Sequence, residues 1–149
     1  MEVRVLRPGD EAVLARVADG VFDHAVRPAL AAEFLADPRH HIVVAVEDGV
    51  VVGFASGVDY IHPDKPAQMW VNEVGVAPSH QRRGIGRAVL RALLDHARAI
   101  GCGEAWLGTE PDNTPARRLY ESLPGQPPET FVLYAWEFDE EIDAGAGAE

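Results

Sequence analysis

Cysteine is all but missing from this chain. Cys102 stands alone among 149 residues, which excludes an intramolecular disulfide and any cysteine cluster able to hold zinc. No apolar run approaches the roughly 20 residues of a membrane-spanning helix. The start, Met1-Glu2-Val3-Arg4-Val5-Leu6, lacks the basic stretch and apolar core of a secretory signal. These absences point to a cytoplasmic protein with no membrane partner. Two common phosphate-binding signatures are missing as well. There is no Gly-Lys-Ser/Thr and no Gly-x-Gly-x-x-Gly. Basic side chains are absent from the whole of 119–149, which carries eight acidic ones.

What is present is an ordinary globular balance, 47% hydrophobic and 25% charged. The length suits one domain, expected over 1–143, with the Ala/Gly-rich 144–149 as a tail. The net charge of −11 is unevenly spread. Residues 1–80 carry six basic and twelve acidic side chains, whereas 81–118 carry seven basic and four acidic. Such acidity disfavours nucleic acid, whose phosphates need a basic face. A basic island in an acidic chain suits an anionic ligand at the island and a cationic one elsewhere.

The pattern predicts strands over 3–6, 41–46, 50–58 and 68–76 from β-branched apolar runs. Asp48-Gly49 between the second and third reads as a tight hairpin. Asp10 offers an N-cap for a helix over 11–18, and Pro28 suits the first turn of a helix over 29–35. The longest helix is expected over 84–100, where Ile85, Val89, Leu90, Leu93, Leu94 and Ala97 share one face. Gly101 sits where a helix C-cap glycine belongs. A strand over 104–110, a helix over 114–122 and a last strand over 130–138 complete the reading. A meander followed by alternating strand and helix implies an α/β (α+β) mixed sheet with helices on both faces. Cys102, Trp70, Trp106 and Trp136 read as structural. His40-His41 lacks the neighbouring ligands that a metal site would need, so no metal is expected.

The stretch that carries chemistry is Val74-Gly75-Val76-Ala77-Pro78-Ser79-His80-Gln81-Arg82-Arg83-Gly84-Ile85-Gly86-Arg87. A strand ends, a glycine-punctuated loop follows, and a long amphipathic helix begins. Amides at a helix start are unpaired and lie at the positive end of its dipole, which makes a site for phosphate. Gly84 and Gly86 allow close approach, and Arg82, Arg83 and Arg87 add positive charge. The expected ligand is a pyrophosphate. Gln81–Gly86 also fits the pattern Gln/Arg-x-x-Gly-x-Gly/Ala. A second element, Asn113-Thr114-Pro115-Ala116-Arg117-Arg118-Leu119-Tyr120, fits Asn-x-x-Ala-x-x-Leu/Phe-Tyr. On these two motifs and the element order, the chain resembles the GCN5-related N-acetyltransferases over nearly its whole length.

The resemblance implies an acetyl-CoA-dependent N-acetyltransferase with a mostly antiparallel sheet splayed between its fourth and fifth strands. The cofactor arm would bond the backbone of Val74, Gly75 and Val76 and touch Asn113. The pyrophosphate would sit on the amides of Gln81, Arg82, Arg83, Gly84, Ile85, Gly86 and Arg87. Tyr120 would be the general acid for the departing thiolate. The residue chemistry is compatible with this. Acetylation needs a neutral amine, and Glu73 at the strand end is a suitable base. A phenol of pKa near 10 can protonate a thiolate. A strand amide can donate to the oxyanion of acyl transfer.

The acceptor is less constrained. The acidic imbalance away from the loop suits a cationic small-molecule amine. The chain is also similar to small aminoglycoside 3-N-acetyltransferases, proteins of antibiotic resistance. In those the fourth strand likewise ends with an acidic residue three positions before its last Val, and an acidic stretch follows the last strand. Asp19, Asp23, Asp59, Asp64, Glu110, Asp139 and Glu140 are the candidate carboxylates for such a polycation, with His24 beside them. A protein or peptide amine, or a polyamine, is the alternative acceptor. The usual Leu-Gly-Phe after the tyrosine is replaced by Leu123-Pro124-Gly125-Gln126-Pro127-Pro128. That departure bears on the acceptor site or on a homodimer contact.

Overall fold

In the computed structural model, which describes residues 1–138, the chain runs through five strands and three helices. They are β1 (Glu2–Val5), α1 (Pro28–Ala36), β2 (His40–Glu47), β3 (Val50–Tyr60), β4 (Gln68–Val76), α2 (Ile85–Ala99), β5 (Glu104–Trp106) and α3 (Thr114–Glu121), with short 3-10 turns at Glu11–Ala15 and Pro78–His80. The sheet order is β1-β2-β3-β4-β5. Neighbours are antiparallel except β4 and β5, which are parallel. The hairpin between β2 and β3 turns on Asp48 and Gly49, at φ 53° and 76°. Two successive left-handed residues match the right-handed twist of the strands, so Asp-Gly closes the turn as expected.

Each face of the sheet carries its own core. On one face α2 lays Ile85, Val89, Leu90, Leu93 and Ala97 over Val43, Ala45, Val52, Ala55, Met69 and Val71. All five helix residues are at most 2% exposed, and each large one contributes about 1.5–3 kcal/mol by leaving water. On the other face α1 and the first 3-10 turn cover Ile42, Val44, Val51 and Phe54 with Leu14, Val21, Ala31 and Leu35. The helices thus flank the sheet on both faces.

A β-bulge on β4 sets the orientation of its far half. Ser56 faces Glu73 while the next residue of β3, Gly57, faces Val71, leaving Asn72 unpaired. Met69 and Val71 before the bulge, and Val74 and Val76 after it, all serve the α2 core. Glu73 and Gly75 therefore point to the opposite face, across from Ser56 and Phe54. A bulge adds one residue and re-aims those beyond it.

Three expected elements differ. The helix over 11–18 is a single 3-10 turn. Asp10 caps nothing in it, because its carboxylate accepts from Arg7 N at 2.8 Å. The chain beyond is drawn into the sheet, with Ala18 N donating to Val51 O at 2.9 Å and a bridge between Val17 and Val51. The strand over 104–110 stops at Trp106, where the parallel register with β4 ends at the pair Trp70–Trp106. Residues 130–138 form no strand. No edge among the described residues is hydrogen-bonded to them, and a strand has no ladder without one. The tail expected at 144–149 lies outside the described residues.

Candidate active site

Parallel pairing of β4 with β5 covers only Gln68–Glu104, Met69–Ala105 and Trp70–Trp106. Beyond it β4 runs on to Val76 while β5 has ended. Among the described residues no strand lies beside the edge of Val71–Val76 on that side, and a gap opens in the sheet. This is the splay expected between strands four and five.

At the end of β4 the chain makes the 3-10 turn Pro78–His80 and enters α2 through a loop with two left-handed residues, Arg82 at φ 63° and Gly84 at φ 77°. Gly84 is the N-cap of α2, and no side chain caps the helix. The backbone partnering of the helix starts with Ala88 N, which donates to Gly84 O at 3.0 Å. The amides of Arg82 to Arg87 before it make no backbone hydrogen bond among the described residues, and unpaired amides at a helix start suit an anion. Gly86 has a different use from the one expected. It is buried, and a Cβ there would lie 3.2 Å from Leu119 Cδ2 of α3 and 3.5 Å from Val76 Cγ2. Its smallness lets α3 pack against α2.

The three arginines also divide. Arg83 is held by Glu47 of the hairpin, Nη2 to Oε2 at 2.8 Å, and His80 joins the same carboxylate at 3.3 Å. The hydrogen bond from Arg83 outweighs burial and keeps the Glu47 carboxyl below its ordinary range. Arg87 donates to Ser122 O at the end of α3 at 3.4 Å. Arg82 is exposed on the loop.

Asn113 caps α3, its Oδ1 accepting from Ala116 N at 3.2 Å. Seven residues on, Tyr120 packs against the α2 core. Burial pushes its phenol above the ordinary value, which keeps the proton on the oxygen at neutral pH.

Across β4, on the face that carries Glu73, two adjoining hollows of about 580 and 350 Å³ open between the 11–31 segment and the sheet. The larger is lined in part by Glu11, Asp19, Asp23 and His24. The smaller holds Glu73, Ser56, Asp23 and Arg27 with an apolar wall of Phe22, Val26, Leu30, Phe34, Ile42 and Phe54. Phe22 and Phe54 stack with ring centroids 4.1 Å apart. Gly75 permits this wall. A Cβ on it would lie 2.5 Å from Val21 O and 2.7 Å from Phe54 Cε1.

The model of the Acetyltransferase (GNAT) family matches residues 13–123, three quarters of the chain. The chain belongs to this family. Its relatives include the N-alpha-acetyltransferase RimI of Mycobacterium tuberculosis, 42% identical over 89 residues, covering 60% of this chain and 54% of the relative. A mycothiol acetyltransferase of Saccharopolyspora erythraea is 33% identical over 131 residues, covering 81% of this chain and 42% of the relative. The chain thus spans about half the length of these relatives. Among solved structures, an aminoglycoside acetyltransferase from an uncultured soil metagenomic sample, in complex with sisomicin, superposes with a TM-score of 0.80 at 15% identity, over 93% of this chain and 96% of the other. At that identity the likeness is one of fold.

Within this GNAT frame the expected residues fall on several elements. Val74, Gly75 and Val76 line the gap, the Gln81–Arg87 loop lies at its end, and Asn113 and Tyr120 come from α3. Asp23 and His24 join Glu73 around the hollows. Asp59 does not. Its carboxylate is taken by Arg39 Nη1 at 2.5 Å and His41 Nε2 at 2.6 Å. Burial opposes its charge, but the hydrogen bonds from His41 and Arg39 prevail and hold the carboxyl below its usual value. Glu110 is exposed after β5 and lines neither hollow. Asp64 is exposed beside Lys65. Asp139 lies outside the described residues. The sequence reading missed the wall of Phe22, Leu30, Phe34 and Phe54. The available signal was α1 itself, where Leu30 and Phe34 extend the apolar surface beyond the face that buries Ala31 and Leu35. More apolar surface than one core needs is a sign of a second use.

Proposed function

We propose that the chain is an N-acetyltransferase that moves the acetyl group of acetyl-CoA to a primary amine of a polycationic small molecule, an aminoglycoside acetylated at its 3-amino group. The observation that carries this reading is the hollow on the Glu73 side of the gap. Four carboxylates line this hollow and the one adjoining it: Glu73 and Asp23 with Arg27 and His24 here, Glu11 and Asp19 with Asp23 next to it. Such a surface attracts ammonium groups, while the uncapped start of α2 attracts the opposite charge.

Acetyl-CoA supplies an activated acetyl group and a thiolate leaving group. The chain supplies the rest. Loop amides from Gln81 to Arg87 and the Arg82 guanidinium bind the pyrophosphate, with Arg83 steadied by Glu47. The unpaired backbone of Val74, Gly75 and Val76 orients the cofactor arm along β4, and Asn113 borders it. Glu73 takes the proton from the acceptor ammonium, directly or through water, because only the neutral amine is nucleophilic. Tyr120 holds a proton at its phenol oxygen for the departing sulfur. Asp23 and His24 position the acceptor.

A second reading has its own observation. The aromatic and aliphatic wall beside Glu73 suits an acceptor with a hydrocarbon side, such as a peptide amine. Both readings are tested by mass spectrometry of acetyl-CoA reactions with a panel of gentamicin-type and kanamycin-type compounds, polyamines and peptides. Acetylated aminoglycoside supports the first reading. Acetylated peptide with untouched antibiotic replaces it with the second.

A further inference from the structure

Trp70 and Trp106 read as packing residues in the sequence, yet neither belongs to the two core clusters among the described residues. Trp106 is 43% exposed. Their place in the sheet shows which face they use. Met69, one position before Trp70 on β4, lies in the α2 core, and Ala105, one position before Trp106 on β5, packs against it. By alternation Trp70 and Trp106 turn to the opposite face. That is the face to which the bulge turns Glu73 and on which the hollows open. Tyr60 of β3 reaches the same cluster, where its hydroxyl accepts from Trp106 Nε1.

The cluster is held in place. The two indoles lie with ring centroids 4.2 Å apart. Tyr60 meets the His62 ring edge to face at 5.2 Å. His62 Nε2 donates to Gln68 Oε1 at 2.8 Å, and Gln68 Nε2 donates to Glu104 Oε1 at 3.4 Å. Phe131 adjoins the cluster at Gly108, where a Cβ would stand 3.0 Å from Phe131 Cζ and 3.8 Å from Trp70 Cη2. Rigid aromatic side chains give contact area at little cost in rotamer freedom. The single polar atom of the Trp106 side chain is already bonded to Tyr60, so what this side chain presents to a ligand is ring.

A ring face attracts one class of charged group, a cation, and the indole does so most strongly. The rest of the chain favours the same sign, with a net charge of −11. The spacing suits a second cation on an acceptor whose first nitrogen sits at Glu73. Trp70 precedes Glu73 by three positions that include the bulged Asn72, a separation of about 7–10 Å along the strand.

We propose that Trp106 and Trp70, braced by Tyr60, form a cation–π subsite for a distal ammonium or quaternary ammonium group of the acceptor. The proposal deepens the amine-acetylation reading above and rests on it for its occupant. A cation–π contact needs no N–H, so the subsite takes a trimethylammonium group as well as a protonated amine.

The test uses the full chain and two matched probes. One is a primary amine joined by a hexamethylene chain to a trimethylammonium group. The other carries carbon in place of the quaternary nitrogen and is neutral at that end. The cationic probe should show a KM about 2- to 30-fold lower, the range of exposed to desolvated cation–π contacts, at nearly equal kcat. Trp106→Leu should abolish that preference and leave acetyl-CoA affinity unchanged. Trp106→Phe keeps a ring at the position and should retain part of the preference, which separates loss of the ring from a general defect. Binding is also read without turnover, from the Trp106 Nε1–H resonance in a titration with each probe. A saturable shift with the cation and none with its neutral partner supports the subsite. If that shift occurs while neither probe is acetylated, the subsite stands and the acetyl-transfer reading falls. Equal KM for the two probes, a preference that survives Trp106→Leu, or a resonance that ignores the cation overturns the subsite.

Discussion

Gly75→Ala places one methyl group at the contact that ties the acceptor wall to the sheet. Its Cβ would stand 2.5 Å from Val21 O and 2.7 Å from Phe54 Cε1. Neither neighbour yields easily. Val21 is 4% exposed, and its segment is pinned where Ala18 N donates to Val51 O. Phe54 is 3% exposed and stacked on Phe22. Overpacking a tight site costs about 1–3 kcal/mol. Restricting the unfolded chain offsets about 0.4–1 kcal/mol, since Gly75 is not in a left-handed conformation. The net loss is roughly 0–2.6 kcal/mol, toward the upper end because one neighbour is a backbone oxygen. At about 2–4 °C per kcal/mol for this chain length, the melting midpoint should fall by up to roughly 10 °C. The displaced group is the Val21–Phe22 wall, so the amine KM should rise while acetyl-CoA affinity stays. Gly86→Ala is the control. Its Cβ meets the methyl end of Leu119 at 3.2 Å, so the side chain of Leu119 must give by only a few tenths of an ångström. That variant should lose less stability than Gly75→Ala. Thermal melts by circular dichroism and steady-state thiol release read the two effects. A Gly75→Ala protein with an unchanged midpoint and unchanged amine KM would refute the packing argument.

Tyr120→Phe should lower kcat by about 10- to 1,000-fold, the usual range for one acid–base group, with acetyl-CoA affinity by calorimetry nearly unchanged; full kcat would return the phenol to packing. Glu73→Gln should lower kcat/KM most at neutral pH and less at high pH, where more amine is already neutral; a pH-independent loss would exclude the base role. His96 lies 3.0 Å from His41 Nδ1. Burial, then the nearby His41 and Arg7, holds its pKa below the ordinary 6.5, with Asp59 opposing weakly. The unfolded chain binds this proton at higher pH than the folded one does. The His96 contribution is therefore present above about pH 6.5 and lost as pH falls below it. Urea titrations at pH 7.5 and 5.5 should show this loss, and His96→Gln should reduce it; an equal slope in both proteins would assign the pH dependence elsewhere.

Local signals in the sequence produced the parts that the structure retains. Asp48-Gly49 closes its hairpin, the 3.6-residue repeat from Ile85 to Ala97 buries as read, and the glycine-arginine loop stands at the start of α2. What failed depended on partners far along the chain. Strand β5 ends at Trp106 because β4 diverges there, and nothing within 104–110 records that divergence. Residues 130–138 have strand composition but pair with no strand among the described residues. Asp59 looked like a free carboxylate until Arg39 and His41 were brought to it across β2 and β3. Asp10 has the residue type of an N-cap but spends its oxygen on Arg7. At Asp59 a tertiary contact overrides the local reading, whereas at Asp10 a nearer local contact does.

The bulge and the gap together explain how one strand serves both halves of the site. In a regular β4, period-two alternation would put residue 73 on the same face as Met69 and Val71, under α2. The unpaired Asn72 shifts the pattern by one position. Glu73 then turns to the face of the acceptor hollows, while Val74 and Val76 resume the α2 core. Tyr120 belongs to the opposite face, packed against that core. In a continuous sheet a carboxylate on one face and a phenol on the other would be separated by a layer of hydrogen-bonded backbone. The gap beyond Trp70–Trp106 removes that layer beside β4. In the proposed reaction Glu73 and Tyr120 would act from the two sides of this gap. The acidic hollows can then gather a cationic amine without lowering the affinity of the loop for an anion. The carboxylates Glu11, Asp19, Asp23 and Glu73 line the hollows on the Phe54 face, and the loop proposed to bind pyrophosphate stands at the start of α2.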